Sequence, residues 1–170
     1  LVGISIGSFA YLAKISDDTI DPGDVLSTSL DLGILSVSSG TLDSYRTFFN
    51  DIGDGSHLRR DVDLYRFTLA DAGYFSLVVL TEQIVSDLDA YLRLFDVSGR
   101  EITFDDDTIG RDPEITRFLP KGVYYAGVSN YASRAYSPLS AGSGQPGTTG
   151  TTGEYGLVIA YESDSSEPPV

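Results

Sequence analysis

The chain has 170 residues, with 11 Lys and Arg against 25 Asp and Glu, and a formal charge of −14. That length suits one domain with a real core. The charge excludes the basic surfaces by which proteins hold nucleic acid or anionic membranes, leaving solubility by self-repulsion or the holding of cations. Of the 25 acids, 19 are Asp, a residue of turns and loop sites rather than helix faces. There is no Cys, so neither disulfides nor thiol chemistry contributes. A secreted domain without disulfides needs another staple, and bound metal is the usual one. No apolar run reaches the roughly 18 residues of a membrane span, which argues against membrane insertion. With no starting Met and no charged leader, the chain reads as a processed chain or an excised fragment.

Residues 1–15, LVGISIGSFAYLAKI, are strand-like and nearly uncharged. An unpaired strand of this kind aggregates. Three readings stay open: an edge strand of the domain's own sheet, the remainder of a preceding domain, or a strand donated to a neighbouring copy. In the last case Ile4, Ile6, Phe9 and Tyr11 carry self-assembly and build a fibre. Next comes an acidic stretch ending in DPGD, with Asp21 and Asp24. LDLGILSV and TLDSYRTFF then supply two candidate strands.

The stretch 59–69, RRDVDLYRFTL, sets a problem. Alternation puts Asp61, Asp63, Tyr65, Phe67 and Leu69 on one side. Three of these suit a core, whereas two carboxylates about 7 Å apart on that side repel each other. A divalent ion between them reverses the sign; otherwise both lie beyond the buried zone and are hydrated. Six further short runs follow: GYFSLVVLT, DAYLRLFDV, REITF, EITRFL, VYYAGVSNY and EYGLVIAYE. All are rich in Tyr, Phe, Val and Ile and are separated by Gly, Asp, Ser or Pro. No capped amphipathic helix is evident. Eight or nine short strands predict an all-β fold, an antiparallel β-sandwich of the jelly-roll kind. The predicted organisation is an N-terminal arm at 1–15, a β-sandwich domain at 16–162 and a polar tail at 163–170. The Gly/Ser/Thr stretch 137–156 reads as a mobile excursion between two strands.

The catalytic constellations are poor. The single histidine, His57, lies in DGSHLRRD with no nucleophile elbow nearby and reads as a solvated loop residue. Aspartates clustered in turns beside glycines are more often cation ligands or turn formers than glycosidase pairs. There is no phosphate-cradling loop and no soft-metal cluster. Calcium, which takes six to eight oxygens, fits better. The candidate ligands fall into three groups: Asp21 with Asp24; Asp61 with Asp63; and Asp105, Asp106, Asp107 and Asp112, joined by Asp87 and Asp89. None is an EF-hand, since Ile109 and Thr116 stand where ligands belong. Tyr124, Tyr125, Tyr131 and Tyr136 cluster around one strand and its following loop. They form a weaker candidate platform for sugar stacking, with half expected in the core.

DVDLYRFTLADAG, LDAYLRLFDVSGREITFDDD, DPEITRFLPKGVYYAGVSNY and SPLSAGSG…TTGEYGLVIA appear in order between about residues 20 and 162. Together they resemble the bacterial pre-peptidase C-terminal domain family. The resemblance implies a jelly-roll-like, non-catalytic β-sandwich of secreted proteins, trailing a peptidase or sitting in adhesins and surface proteins. It also implies calcium where an N-terminal acidic segment meets an Asp-x-Asp strand start, which places ligands at Asp21, Asp24, Asp61 and Asp63. The family's first segment usually reads Glu-Pro-Asn-Asp, so here Asp21 replaces Glu and Gly23 replaces Asn. By the same resemblance Asp89, Asp105, Asp106, Asp107 and Asp112 form a second site.

The resulting expectation is a calcium-stabilised, non-enzymatic, extracellular or cell-surface β-sandwich with a structural or adhesive role. Its expected partners are copies of itself or a cell-surface or matrix polymer. The alternative is a module that binds polysaccharide or fibrous protein as an accessory to a secreted peptidase.

Overall fold

The structure, a computed structural model, describes residues 20–36 and 46–163. The apolar arm 1–15, with Ile4, Ile6, Phe9 and Tyr11, lies outside the described residues. Nine strands are present among them: β1 (Leu30–Leu35), β2 (Arg46–Ile52), β3 (Val62–Leu69), β4 (Gly73–Leu80), β5 (Ala90–Asp96), β6 (Glu101–Asp105), β7 (Glu114–Leu119), β8 (Gly122–Asn130) and β9 (Gly153–Ser163). The last strand runs one residue into the segment read as a tail. Three single-turn 3₁₀ segments interrupt the loops.

The strands form a five-stranded sheet in the order β1-β3-β8-β5-β6 and a four-stranded sheet in the order β2-β9-β4-β7. Renumbered from β2 as an eight-strand set, the two orders become 2-7-4-5 and 1-8-3-6, the winding of a jelly roll. β1 is additional. It pairs with β3 in parallel, with Leu30 opposite Tyr65 and Leu35 opposite Leu69. The expected antiparallel jelly-roll sandwich is present and carries one parallel edge, and the supernumerary strand among the described residues is 30–35. A register shift between Asp31 and Ile34 marks this edge, with Gly33 at φ +80°. Such a break shortens the run that could template pairing with another chain.

Alternation fixes which face is buried. Tyr65, Phe67 and Leu69 of β3 meet Phe75, Leu77 and Val79 of β4 and Tyr155, Leu157 and Ile159 of β9 in one core. Phe67 stacks on Phe75 across the two sheets, with ring centroids 4.6 Å apart.

The stretch 137–156 is folded against the domain, contrary to the expected loose excursion. Pro138, Gly144, Pro146 and Gly150 are buried. The Leu26 N–H donates to the Pro138 carbonyl at 2.9 Å, and the Asp89 N–H donates to Thr151 Oγ1 at 2.8 Å. The connection leading into it lays Tyr136 over the outer face of the five-stranded sheet, where Val62, Leu64, Phe95 and Tyr125 form a second cluster. Arg93 lies over the Phe95 and Tyr136 rings, at 4.6 and 4.5 Å from their centroids. Anchors for this loop were present in the sequence, but they are Tyr136 and two prolines rather than aliphatic residues. The start of β3 is consequently covered on both faces.

Gly127 of β8 lets Tyr136 in. A Cβ there would collide with Tyr136 Oη and come within 2.9 Å of Leu64 Cδ2. Overpacking of this kind costs about 1–3 kcal/mol. Urea unfolding of Gly127→Ala is therefore expected to show a loss of that size, while Ile34→Ser, at a position 64% exposed, stays within about 0.5 kcal/mol of wild type.

Candidate metal centre

The segment DPGD is shaped by its own side chains. Asp21 Oδ1 accepts the Gly23 N–H at 2.9 Å, closing an Asx turn. Gly23 sits at φ +76°, a left-handed conformation that glycine adopts freely and asparagine tolerates. The segment then runs beside the first residues of β3. The Leu64 N–H donates to the Gly23 carbonyl at 3.2 Å, and the Val62 N–H donates to Asp24 Oδ1 at 3.0 Å. The second Asp24 oxygen meets His57 Nδ1 at 2.5 Å. Asp24 thus holds the register of this segment, with both oxygens engaged by the protein itself.

Asp61 and Asp63 are deeply buried, at 1% and 0% exposure; they are not hydrated at the rim. Asp63 points inward in the same register as Tyr65 and receives the Tyr155 hydroxyl from the opposite sheet on Oδ2. Tyr155 in turn shares a 2.5 Å hydrogen bond with the Tyr65 hydroxyl. Asp61, just before the strand, accepts the Gly53 N–H on Oδ2 at 2.6 Å. Each carboxylate keeps one oxygen, Asp61 Oδ1 and Asp63 Oδ1, that is buried and has no hydrogen-bond partner. One ligand oxygen each from Asp21, Asp61 and Asp63 lies within 4.8 Å of the other two. Oxygens that share an ion at about 2.3–2.6 Å can be no more than about 5 Å apart, so this spacing suits a common cation. Among the described residues no other group of acids or histidine converges in this way.

The loop between β2 and β3 closes the site. A Cβ on Gly55 would stand 2.7 Å from Asp21 Oδ2 and 3.3 Å from Asp61 Oδ1, so only glycine leaves both oxygens room. Neighbouring Asp54 feels the same field: burial, then the Asp21 charge, raise its carboxyl above the usual range. For Asp61, burial outweighs the Gly53 N–H and, helped by Asp21, Asp24 and Asp54, pushes the carboxyl up to about 7. Burial, then the Asp61 charge, push Asp63 well above the ordinary range. Burial and the Asp63 charge also raise the Tyr155 hydroxyl, so Tyr155 stays a donor. The donors are all hard carboxylate oxygens, the chemistry of Ca²⁺ and Mg²⁺ rather than of zinc or copper.

The other sequence-predicted ligands are placed differently. Asp112 is fully buried, and its Oδ1 receives the Thr81 N–H at 2.8 Å, the Thr81 hydroxyl at 2.7 Å and the Glu82 N–H at 3.1 Å. Its Oδ2 is buried without a partner, but among the described residues Asp112 belongs to no converging group of three ligands. It anchors the turn after β4. Asp105 Oδ2 accepts the Thr108 and Glu114 N–H groups at 3.2 and 2.8 Å. Burial, then the Asp107 charge, raise the Asp89 carboxyl, with Arg111 opposing and Asp106 adding to the rise. His57 is half-buried rather than a solvated loop residue. The Ser56 hydroxyl lies 3.5 Å from His57 Nδ1, the nitrogen already facing Asp24, so these three residues do not form a relay through opposite ring nitrogens. Of the four candidate sugar-stacking tyrosines, Tyr124, Tyr125 and Tyr136 are buried and only Tyr131 is exposed. They make no platform.

Sequence reasoning passed over Gly53, Asp54, Gly55 and Tyr155. The first three stand together in DIGDGS, where alternating Asp and Gly directly before an Asp-x-Asp strand start was the available signal. Tyr155 comes from a strand 92 residues away from Asp63, and nothing local announces that pairing.

No protein-family model and no curated protein sequence matches the chain. Solved structures do. The chain is similar to the pre-peptidase C-terminal domain of a collagenase from Bacillus anthracis. That match has 19% identity over 76% of this chain and 92% of the other, with a TM-score of 0.49. It is also similar to PliG, a periplasmic inhibitor of g-type lysozyme. The Aeromonas hydrophila protein is 17% identical over 78% of this chain and 98% of its own, with a TM-score of 0.43. The Salmonella Typhimurium protein is 15% identical over 79% and 99%, with a TM-score of 0.38. The first carries the domain name that the sequence motifs resemble.

An acid whose pKa is raised by folding contributes stability that is complete below its ordinary pKa near 4, where the folded and unfolded chains both hold the proton. It is lost as pH rises through the folded value, about 7 for Asp61. In metal-free protein, the stability of wild type relative to Asp61→Asn, read by urea unfolding, is therefore expected to fall between these two pH values. A relative stability that rises across the window contradicts the described burial.

Proposed function

We propose that this chain is a non-catalytic, calcium-stabilised β-sandwich module that works outside the cell in a structural or adhesive role. The observation that carries the reading is the convergence of one carboxylate oxygen each from Asp21, Asp61 and Asp63, the last two being buried acids that each keep one unpartnered oxygen. Two buried carboxylates with a third, exposed one converging on them are unfavourable unless a cation neutralises them. Calcium suits the set better than magnesium. It accepts irregular shells of six to eight oxygens, whereas magnesium demands near-ideal octahedra at about 2.0–2.1 Å. In this reading Asp21, Asp61 and Asp63 are ligands, and Asp54 and water fill the open side. Asp24 positions the segment, and Gly55 leaves the space.

The role follows from what the ion would join. Asp21 belongs to the segment by which the described chain enters the domain, and Asp61 and Asp63 belong to the sandwich. A bound cation ties the two and stiffens the entry to the domain. Extracellular modules work with calcium sites of about 10⁻⁴–10⁻³ M, and the proposal assigns this site to that class. No helix among the described residues is long and apolar enough to cross a membrane.

Ligand binding to the native state stabilises by mass action, about 2.7 kcal/mol at a hundredfold excess over Kd. Calcium is therefore expected to raise Tm at constant ionic strength, and a chelator to reverse the rise. Asp63→Asn and Gly55→Ala should each remove most of the gain. Asp63→Asn should also make the metal-free protein no less stable than wild type, because it removes a buried charge. Equal Tm values for wild type in calcium and chelator overturn the metal reading.

A further inference from the structure

The two arginines that precede Asp61 are not used by the metal centre. Arg59 and Arg60 line an open cleft of about 500 Å³ together with His57 and Leu58, with Pro146 and Gly147 opposite. That volume lies in the range of small-molecule sites. Neither guanidinium makes an ion pair among the described residues, although the chain carries net −14 and both arginines directly precede the acidic cluster in the sequence. Arg66, Arg93, Arg100 and Arg111, by contrast, all pair with acids. Arg59 makes a single 3.2 Å contact with the Thr148 carbonyl, which leaves most of its donors free. No acid lines the cleft.

The backbone that presents the arginines is held. The Arg59 carbonyl accepts from both Asn130 Nδ2 and Ser133 Oγ at 2.8 Å. The preceding Leu58 takes φ +52° with its side chain 63% exposed. Leucine rarely adopts that conformation, and strain of this kind gathers at ligand sites. An apolar rim beside two free guanidinium groups suits a ligand with a hydrocarbon or sugar body and one carboxylate, which arginine holds bidentately.

We propose that this cleft binds the carboxylate of a small acidic group, the size of one acidic sugar or amino-acid residue. We further propose that it does so more tightly when the metal centre is loaded; this second part rests on the calcium reading. Gly53 couples the two, since it lines the cleft and its N–H is bonded to Asp61 Oδ2. With the centre metal-free, the aspartates repel an incoming anion. With a divalent ion in place, that repulsion is cancelled, and linkage makes the effect reciprocal.

The test is an NMR titration of ¹⁵N-labelled full chain with sodium galacturonate and with the sodium salt of N-acetylglutamate α-amide, each carrying one carboxylate, against sodium chloride at equal ionic strength. It is run in metal-free and calcium-saturated protein. At least one probe is expected to shift the Arg59 and Arg60 Nε–Hε signals and the Gly147 amide saturably, about fivefold more tightly with calcium; which probe does so separates a sugar from an amino-acid source. Arg59→Gln/Arg60→Gln should abolish the shifts while keeping the calcium-induced rise in Tm, which shows that the variant is folded. No saturable shift with either probe in either state, or an equal response in the double variant, overturns the cleft. If calcium leaves wild-type Tm unchanged, the metal reading fails by itself, and the metal-free titration still decides the cleft.

Discussion

Two carboxylates buried side by side at one end of a β-sandwich set the terms for much of the surrounding chain. Asp61 and Asp63 enter the interior because they share the register of Tyr65, Phe67 and Leu69, and that register is fixed by the core. Slipping β3 by one residue would turn Tyr65 and Phe67 out of the core between the sheets, so the acids cannot leave without dismantling the packing. Each retains one satisfied oxygen, through Gly53 or Tyr155, and one that is not. A buried oxygen without a partner is unfavourable, and a second charge alongside adds to that. The surroundings are built to face this unmet demand: Asp21 is brought in on a tight turn, and Gly55 keeps the space open.

The same end of the molecule explains why the loops are ordered as they are. DPGD runs beside β3 and is fixed there by Asp24, which reaches both the Val62 N–H and His57. Behind His57, Gly142 lies so close that a Cβ would come within 2.5 Å of the ring. Asn130 and Ser133 hold the Arg59 carbonyl. Segments from three parts of the sequence therefore meet around residues 53–63, two of them through named polar contacts and Gly142 by close approach to His57. In the proposed account the cation is the centre of that meeting, and the arginine cleft is its outer face.

Much of the fold was legible because alternation is a strong signal. The runs in YRFTLA, YFSLVVL and YGLVIAY each place large apolar residues two apart, and each became a strand of the predicted sandwich. β1 was legible as a strand but not as a parallel edge, since nothing in LDLGIL encodes which neighbour it meets. The long Gly/Ser/Thr stretch was misread because its anchors are prolines, backbone groups and one preceding tyrosine, which carry no periodicity. At the site, Asp21, Asp61 and Asp63 stood out as acids at turn and strand-start positions, and the structure brings them together. Asp24 looked equivalent, but its hydrogen-bond partners were invisible in the sequence. Asp112 looked like a ligand because an aspartate that caps a turn and one that awaits a cation are written alike.

The central claim is that a cation belongs among Asp21, Asp61 and Asp63, and a crystal structure of the protein grown in millimolar calcium tests it most directly. The account predicts an anomalous-difference peak at that point, about 2.3–2.6 Å from Asp61 Oδ1, Asp63 Oδ1 and an Asp21 oxygen. Calcium-containing crystals in which those three carboxylates surround only water, or turn away from one another, contradict it.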